Sequence, residues 1–125
     1  MTDQGDLRVG TVVVNVRDME RAAVFWQAAL GYTVRDGVLK SGFNVLVDPT
    51  GSGVSVSLQQ TDQAPRSPIP VHLDLYTTEQ QRHVERLVAL GASLVEDWPY
   101  PDDPDFVVLR DPDGNELCII DETRD

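Results

Sequence analysis

The strongest constraint on the fold of this chain is a series of local signals that occurs twice in the same order. In each half a β-branched run precedes an apolar pattern of helical period, and that pattern ends at a Leu-Gly pair. Leu30 and Leu90, which open the two pairs, are 60 residues apart, and the Asp-Pro turns at Asp48 and Asp111 are 63 residues apart. A repeated order at nearly constant spacing indicates an internal duplication, whereas chance would repeat turn residues without repeating the helix ends.

The repeated unit is predicted to be β-α-β-β-β. Alternating or β-branched runs predict strands over residues 7–16, 32–35, 43–47, 54–60, 71–76, 93–96, 106–110 and 116–120. The two helices are predicted to begin at the N-caps Asp18 and Thr78 and to end at Gly31 and Gly91. A proline-rich stretch without apolar periodicity separates the halves. We therefore expect one α+β domain over residues 1–125, with module 1 at about 7–61, a linker at 62–70 and module 2 at about 71–121.

Charge and cysteine content limit the partners of the chain. The net charge is −11, from 21 acidic and 10 basic residues, so nucleic acid and anionic membrane surfaces are unfavourable partners. A cationic small molecule is attracted, but the more common role of an acidic surface is solubility alone. No apolar run is long enough to cross a bilayer, and residues 1–6 lack the pattern of a secretory signal. Cys118 is the single cysteine, which excludes an internal disulfide. These features together predict a cytoplasmic protein.

One face of the predicted sheets carries a mixed set of side chains. A single helix per module covers only one sheet face. The opposite face has Thr, Ser, Asn, Gln, His, Tyr, Cys and the two acids Asp74 and Glu116, and it lacks the general Lys and Glu content typical of a solvated surface. We expect this face to line a small-molecule pocket, although an exposed or dimer-buried face remains an alternative. The candidate ligand-binding residues are Thr11, Asn15, Ser57, Asp74, Tyr76 and Cys118, together with Trp98 and Tyr100 from an acidic, proline-rich loop.

His72 and Cys118 each have two interpretations at this stage. His72 is a metal ligand or general base, or a histidine that is hydrogen-bonded to Asp74 or Glu116. Cys118 is a reactive thiol or, as the more common case, a small buried hydrophobe.

The chain resembles the vicinal oxygen chelate superfamily, which contains glyoxalases, bleomycin-resistance proteins and extradiol dioxygenases. The resemblance rests on Thr-Val-Val-Val-Asn-Val-Arg-Asp-Met-Glu-Arg-Ala-Ala-Val-Phe-Trp at 11–26, Leu-Gly-Tyr at 30–32, His-Leu-Asp-Leu at 72–75, Leu-Gly-Ala at 90–92 and Asp-Pro-Asp-Gly-Asn-Glu at 111–116. It covers nearly the whole chain. It implies paired βαβββ modules whose sheets form a curved, barrel-like mixed sheet around a central cavity, with one helix per module on the outside.

The resemblance also implies where a metal ion would bind. Its four ligand positions fall on Thr11, Gln59, His72 and Glu116, with Gln60 replacing Gln59 if the register is shifted by one residue. His72, Glu116 and Gln59 would hold Zn, Ni, Mn or Fe, and Glu116 would be the catalytic residue that moves protons. The hydroxyl of Thr11 is a poor ligand where a metal-binding member has His, Gln or Glu. The sequence therefore leaves a metal-free site equally open.

Three functions follow from these features. The first is a small-molecule-binding, glyoxalase-like protein with a degenerate metal site that sequesters a cationic, drug-like ligand. The alternative is a divalent-metal-dependent lyase, isomerase or dioxygenase that acts on a small substrate with vicinal oxygens. A third is an interaction domain whose mixed faces are buried between chains. A homodimer is expected, because the resemblance implies frequent pairing and an open sheet edge favours association.

Overall fold

The computed structural model describes Gly5 and residues 9–63 and 72–124. Its strands are β1 (Thr11–Val16), β2 (Thr33–Val34), β3 (Phe43–Val47), β4 (Ser55–Gln60), β5 (Leu73–Thr77), β6 (Ser93–Leu94), β7 (Phe106–Arg110) and β8 (Glu116–Asp121), and its helices are α1 (Met19–Leu30) and α2 (Gln80–Leu90). The start of the first predicted strand, the first residue of the fifth and most of the predicted linker lie outside the described residues.

The eight strands form two four-stranded sheets with the same internal order. The first sheet is ordered β1-β4-β3-β2 and the second β5-β8-β7-β6. In each sheet the first and last strands of the module pair in parallel, and the other pairs are antiparallel. This identity of topology confirms the predicted α+β class and the repeated βαβββ unit. The two sheets are not joined into a closed barrel.

Local signals explain where both helices begin and end. The Asp18 side chain accepts a hydrogen bond from the Arg21 amide at 3.1 Å, and Gly31 ends α1 in the left-handed conformation at φ 71°. The predicted cap at Thr78 is wrong, because Glu79 occupies the N-cap position of α2 without a side-chain hydrogen bond. The hydroxyl of Thr77 instead accepts a hydrogen bond from the Glu79 amide at 2.9 Å. This local turn delays the start of the helix by one residue.

Both helices and the apolar faces of both sheets share one hydrophobic core. Helix α1 packs on β4, α2 packs on β8, and the two helices contact each other. Leu58 of the first sheet, Leu117 of the second and Trp26 of α1 are at most 1% exposed within this cluster. Neither helix, in the portion of the chain that the structure describes, has the length and apolarity needed to cross a membrane. The shared core leaves the second face of each sheet directed away from the helices.

The turn before β8, residues 111–115, makes hydrogen bonds that link the second module to the first. Hydrogen bonds join this turn to module 1, from Trp26 Nε1 to Asp111 Oδ2 (3.0 Å), from the Arg17 amide and Arg21 Nη2 to Asp113 Oδ1 (2.7 and 3.1 Å) and from Asn115 Nδ2 to the Asn15 carbonyl (2.8 Å). Asp111 and Asp113 are both buried. Glu116 follows this turn directly, so contacts with module 1 fix the point where β8 begins.

Candidate functional site

A pocket of about 300 Å³ lies on the face of the second sheet that points away from the helices. Its lining residues are His72, Asp74, Trp98, Phe106, Val108, Glu116, Cys118 and Ile120. Five of these side chains form an apolar wall, and the other three supply an imidazole and two carboxylates. Apolar walls with a few polar groups are typical of sites for small organic molecules, and the volume suits a small one.

Strand alternation and pairing bring these residues together. On β8, Leu117 and Ile119 enter the core, so Cys118 faces the pocket between them. Parallel pairing places Asp74 of β5 beside Cys118, and antiparallel pairing places Val108 of β7 on its other side. The pocket is therefore built by three adjacent strands of one module, with His72 added from the residue before β5 and Trp98 from the loop between β6 and β7.

The polar end of the pocket is centred on His72 and Asp74. His72 Nε2 lies 3.1 Å from Asp74 Oδ1, and both side chains are close to half exposed. This contact matches the hydrogen-bonded alternative given for His72 above. Donor atoms of His72, Asp74 and Cys118 all lie within 4.8 Å of one another. An imidazole, a carboxylate and a thiol at such distances form a possible metal site.

Glu116 is the most deeply buried acid of the pocket. Its side chain is only 3% exposed, and a guanidinium nitrogen of Arg110 lies 3.4 Å from its carboxylate. A carboxylate removed from water in this way needs a nearby positive charge, because desolvation penalises its ionised form. Arg110 therefore offsets part of the negative charge that Glu116 brings to the pocket.

Cys118 is held in its protonated form. Burial, followed by the negative charge of Asp74, a hydrogen bond to that carboxylate and the charge of Glu116, raises the pKa of the Cys118 thiol to about 11. A thiol with such a pKa is not a nucleophile near neutral pH, because the thiolate is the reactive form. The residue is 8% exposed, so it forms part of the apolar wall.

Tyr100 supports the pocket from behind its wall. Its hydroxyl donates a hydrogen bond to the Val95 carbonyl (3.1 Å) and accepts one from the Val108 amide (2.8 Å). Its ring centroid lies 5.4 Å from that of Phe106, which does line the pocket. Sequence reasoning did not select Val108 and Ile120 as site residues. Alternation along β8 points to Ile120, but Val108 follows only from the β7–β8 register.

The remaining candidate residues lie elsewhere. Thr11 and Ser57 share a hydroxyl–hydroxyl hydrogen bond of 2.7 Å on the first sheet, and the Thr11 hydroxyl also contacts the Ser55 carbonyl at 3.1 Å. Asn15 and Gln59 are exposed on the same sheet.

Two further candidates lie outside the pocket. Gln60, the alternative to Gln59, donates a side-chain hydrogen bond to the Arg17 carbonyl. Tyr76 is 66% exposed and borders a separate groove of about 450 Å³ beside α1 and α2. Among the described residues, the pocket thus unites His72, Asp74 and Glu116 with Trp98 and Cys118, and its lining contains none of the first-sheet candidates.

Residues 11–120 match the family described as "Glyoxalase-like domain". The chain belongs to this glyoxalase-like family. The match includes both modules and all eight strands apart from the last residue of β8. It confirms the resemblance to the vicinal oxygen chelate superfamily. Comparison with curated proteins finds no sequence match.

Solved structures show the same fold at low sequence identity. A glyoxalase/bleomycin resistance protein/dioxygenase family enzyme from Burkholderia phytofirmans is 20% identical, with 90% of this chain and 97% of that one covered and a TM-score of 0.71. The fosfomycin resistance protein FosX from Listeria monocytogenes is 15% identical, with 96% of this chain and 91% of that one covered and a TM-score of 0.69. That structure is of a variant complexed with Mn(II) and 1S,2S-dihydroxypropylphosphonic acid. The trypanothione-dependent glyoxalase I from Leishmania major is 16% identical, with 94% of this chain and 89% of that one covered and a TM-score of 0.65. Each glyoxalase-like module here therefore has the curved sheet of that fold.

The metal positions implied by the superfamily are divided between the two sheets of this glyoxalase-like chain. His72 and Glu116 line the pocket, whereas Thr11 and Gln59 lie on β1 and β4. The Thr11 hydroxyl is occupied by its bond to Ser57, and the Glu116 carboxylate faces Arg110. Two donors are too few to hold a catalytic ion, which takes about three protein ligands. The residues that one chain brings to the pocket do not fit the superfamily's metal set.

Proposed function

We propose that this glyoxalase-like protein binds a small cationic organic molecule in the pocket of its second module. The observation that carries the proposal is the combination of an aromatic wall with two carboxylates in a space of about 300 Å³. Trp98 and Phe106 offer ring surface to a planar ligand, and Asp74 and Glu116 favour a positive charge. This arrangement supports sequestration of a drug-like cation more directly than turnover of a substrate.

The magnitudes indicate how the binding energy divides between the groups. A cation on the face of an aromatic ring gains about 0.5–2 kcal/mol, with the larger value where water is excluded. Asp74 is about half exposed, so a charge pair with it contributes about 0–1 kcal/mol. The apolar wall and Trp98 therefore determine affinity, whereas the acids select the sign of the ligand charge and accelerate its association.

A homodimer belongs to this proposal because the open face of the first sheet carries exposed apolar groups. Val13 and Phe43 are 47% and 41% exposed, and they lie on β1 and β3 close to the polar Thr11–Ser57 pair. A second copy that set this face against the pocket would bury both groups and enclose the ligand. Equilibrium sedimentation tests it, since a chain that stays monomeric at all concentrations contradicts this part of the proposal.

A planar cationic dye tests the ligand class. Acridine orange is titrated into the protein while its polarisation and the tryptophan emission are recorded, with the anionic dye fluorescein as the charge control. Trp98 lines the pocket and Trp26 lies in the core at 1% exposure, so binding should quench Trp98 selectively. In Trp98→Phe the remaining Trp26 emission should not respond to the dye.

Two substitutions separate the contributions of ring and charge. Trp98→Ala should weaken dye binding about tenfold or more, and Asp74→Asn about two- to fivefold. Glu85→Gln removes the same charge from an exposed position of α2 and should leave affinity nearly unchanged at moderate salt. Equal binding of acridine orange and fluorescein, or full affinity in Trp98→Ala, would show that the pocket is not a site for aromatic cations.

A second candidate function is a divalent-metal-dependent lyase, isomerase or dioxygenase that uses His72, Glu116 and Gln59. It is favoured by one observation, namely that His72 and Glu116 line the same pocket. The set is complete only if a second copy supplies Gln59 from its first sheet. Metal analysis of protein purified without chelator or affinity tag tests this candidate, and stoichiometric metal lost in Gln59→Ala would favour it over the binding protein.

A further inference from the structure

We propose that His72, Asp74 and Cys118 form a binding site for a thiophilic divalent cation of the Zn²⁺ class. This inference goes beyond the proposed function, since it concerns an inorganic ion and not the organic ligand. The donor set also differs from the metal positions of the superfamily, because only His72 is common to both. Asp74 and Cys118 enter the set through the β5–β8 pairing.

The geometry requires only small side-chain movements. The three donor atoms lie within 4.8 Å of one another, and the His72–Asp74 distance is already 3.1 Å. With metal–ligand bonds of about 2.0–2.3 Å, tetrahedral geometry places donors about 3.3–3.8 Å apart. Closing the largest separation therefore takes about 1 Å. His72 and Asp74 are close to half exposed, whereas Cys118 is buried and serves as the fixed point.

The chemistry of the donors defines the class of ion. Imidazole, thiolate and carboxylate together suit Zn²⁺ and its analogue Co²⁺, whereas Mg²⁺ and Ca²⁺ prefer sites made only of oxygen. As the metal–sulfur bond forms, the thiol proton leaves to solvent, so one Cys118 proton is released for each ion bound. No electron is transferred. Three protein ligands leave a fourth position open to water or to an oxygen of a bound molecule.

The ion and the organic cation of the proposed function compete for the same carboxylate. Both use Asp74, and an ion there places positive charge at the polar end of the pocket. Zn²⁺ should therefore weaken acridine orange binding in the wild type. The two proposals fail separately, because dye binding is measured in metal-free protein and metal binding is measured without dye.

Cobalt absorption tests the site directly. Metal-free, reduced protein is titrated with Co²⁺, and a thiolate bond gives a near-ultraviolet charge-transfer band that saturates at one ion per chain. Addition of Zn²⁺ should abolish the band by displacement. Cys118→Ser should lack the band, and Asp74→Asn should weaken Co²⁺ binding about tenfold or more. Because Asp74 is exposed, its substitution tests the site even if the Cys118 variant folds poorly.

Three further variants assign the donors. His83→Gln removes the only other histidine, on α2, and should leave the band intact, whereas His72→Gln should weaken binding as strongly as Asp74→Asn. Glu116→Gln distinguishes this set from the superfamily positions, since the band should persist without that carboxylate. Absence of a band in the wild type at excess Co²⁺, its persistence in Cys118→Ser, or its loss in Glu116→Gln would overturn the proposal.

Discussion

The contact between Trp26 and Asp111 should be among the strongest single links between the modules. The indole Nε1 donates to Asp111 Oδ2 at 3.0 Å, and the two residues are 1% and 3% exposed. Trp26→Phe removes this donor but keeps an aromatic ring in the core. A hydrogen bond to a charged group contributes about 1.5–3 kcal/mol, and the smaller ring adds about 1 kcal/mol of lost packing. We expect the free energy of unfolding to fall by about 2.5–4 kcal/mol at neutral pH.

The loss of unfolding free energy in Trp26→Phe should depend on pH in a defined direction. Burial raises the pKa of Asp111, whereas the hydrogen bonds from Asn115 and Trp26 oppose this rise. Loss of the indole donor therefore raises the pKa of Asp111 further in the folded protein. A carboxyl whose folded pKa lies above its unfolded pKa costs stability as pH rises through the folded value. The destabilisation by Trp26→Phe should be smaller at about pH 4, near the ordinary carboxyl pKa, than at about pH 7.5.

Urea unfolding followed by far-ultraviolet circular dichroism measures both effects, since tryptophan emission changes with the substitution itself. A double-mutant cycle with Asp111→Asn isolates the coupling between the two side chains, which we expect to be about 1–3 kcal/mol. A loss below about 1 kcal/mol, additive single substitutions, or a larger effect at the lower pH would refute the argument that the buried carboxylate depends on the indole.

Two other substitutions test contacts outside the pocket. Gly53→Ala should destabilise the protein by about 1–3 kcal/mol, because the added Cβ would lie 2.5 Å from the Tyr32 hydroxyl. Gly42→Ala is the control, because a Cβ added there meets no atom within 4 Å. Equal urea midpoints for the two variants would contradict the prediction. Arg86→Met should lower the free energy of unfolding by about 1–2 kcal/mol in the same assay, because the guanidinium donates to two carbonyls at the end of α1 at 3.0 and 2.8 Å. The control Arg82→Met breaks only an exposed ion pair and should lower it by less than about 0.5 kcal/mol. Similar losses in the two variants would exclude the helix-end role of Arg86.

Periodicity in the sequence predicted most of the fold because the signals are local. Asp18 and Gly31 mark the ends of α1 through a side-chain acceptor and a left-handed backbone, and neither depends on distant residues. The core positions of Leu117 and Ile119 likewise follow from alternation along β8. The error at Thr78 arises where two adjacent threonines compete for one cap, and the preceding hydroxyl makes the turn.

The candidate site was predicted only in part because it depends on pairing between distant segments. His72, Asp74, Glu116 and Cys118 were each assigned to the mixed face from strand alternation, and the structure places all four in one pocket. Their distances from one another, however, are set by which strands are neighbours and in what register. The resemblance to the superfamily implied a central cavity formed by both modules, whereas the lining of this pocket comes from the second module.

The sequence alone determined the repeated βαβββ order, the helix ends and the side of each strand that faces away from the core, because backbone propensity and side-chain alternation act over a few residues. Only the tertiary structure decided that Asp74 lies beside Cys118, that Arg110 faces Glu116 and that Thr11 is bonded to Ser57 on the other sheet. Those contacts result from strand register and module packing, which sum many weak interactions between segments far apart in the chain.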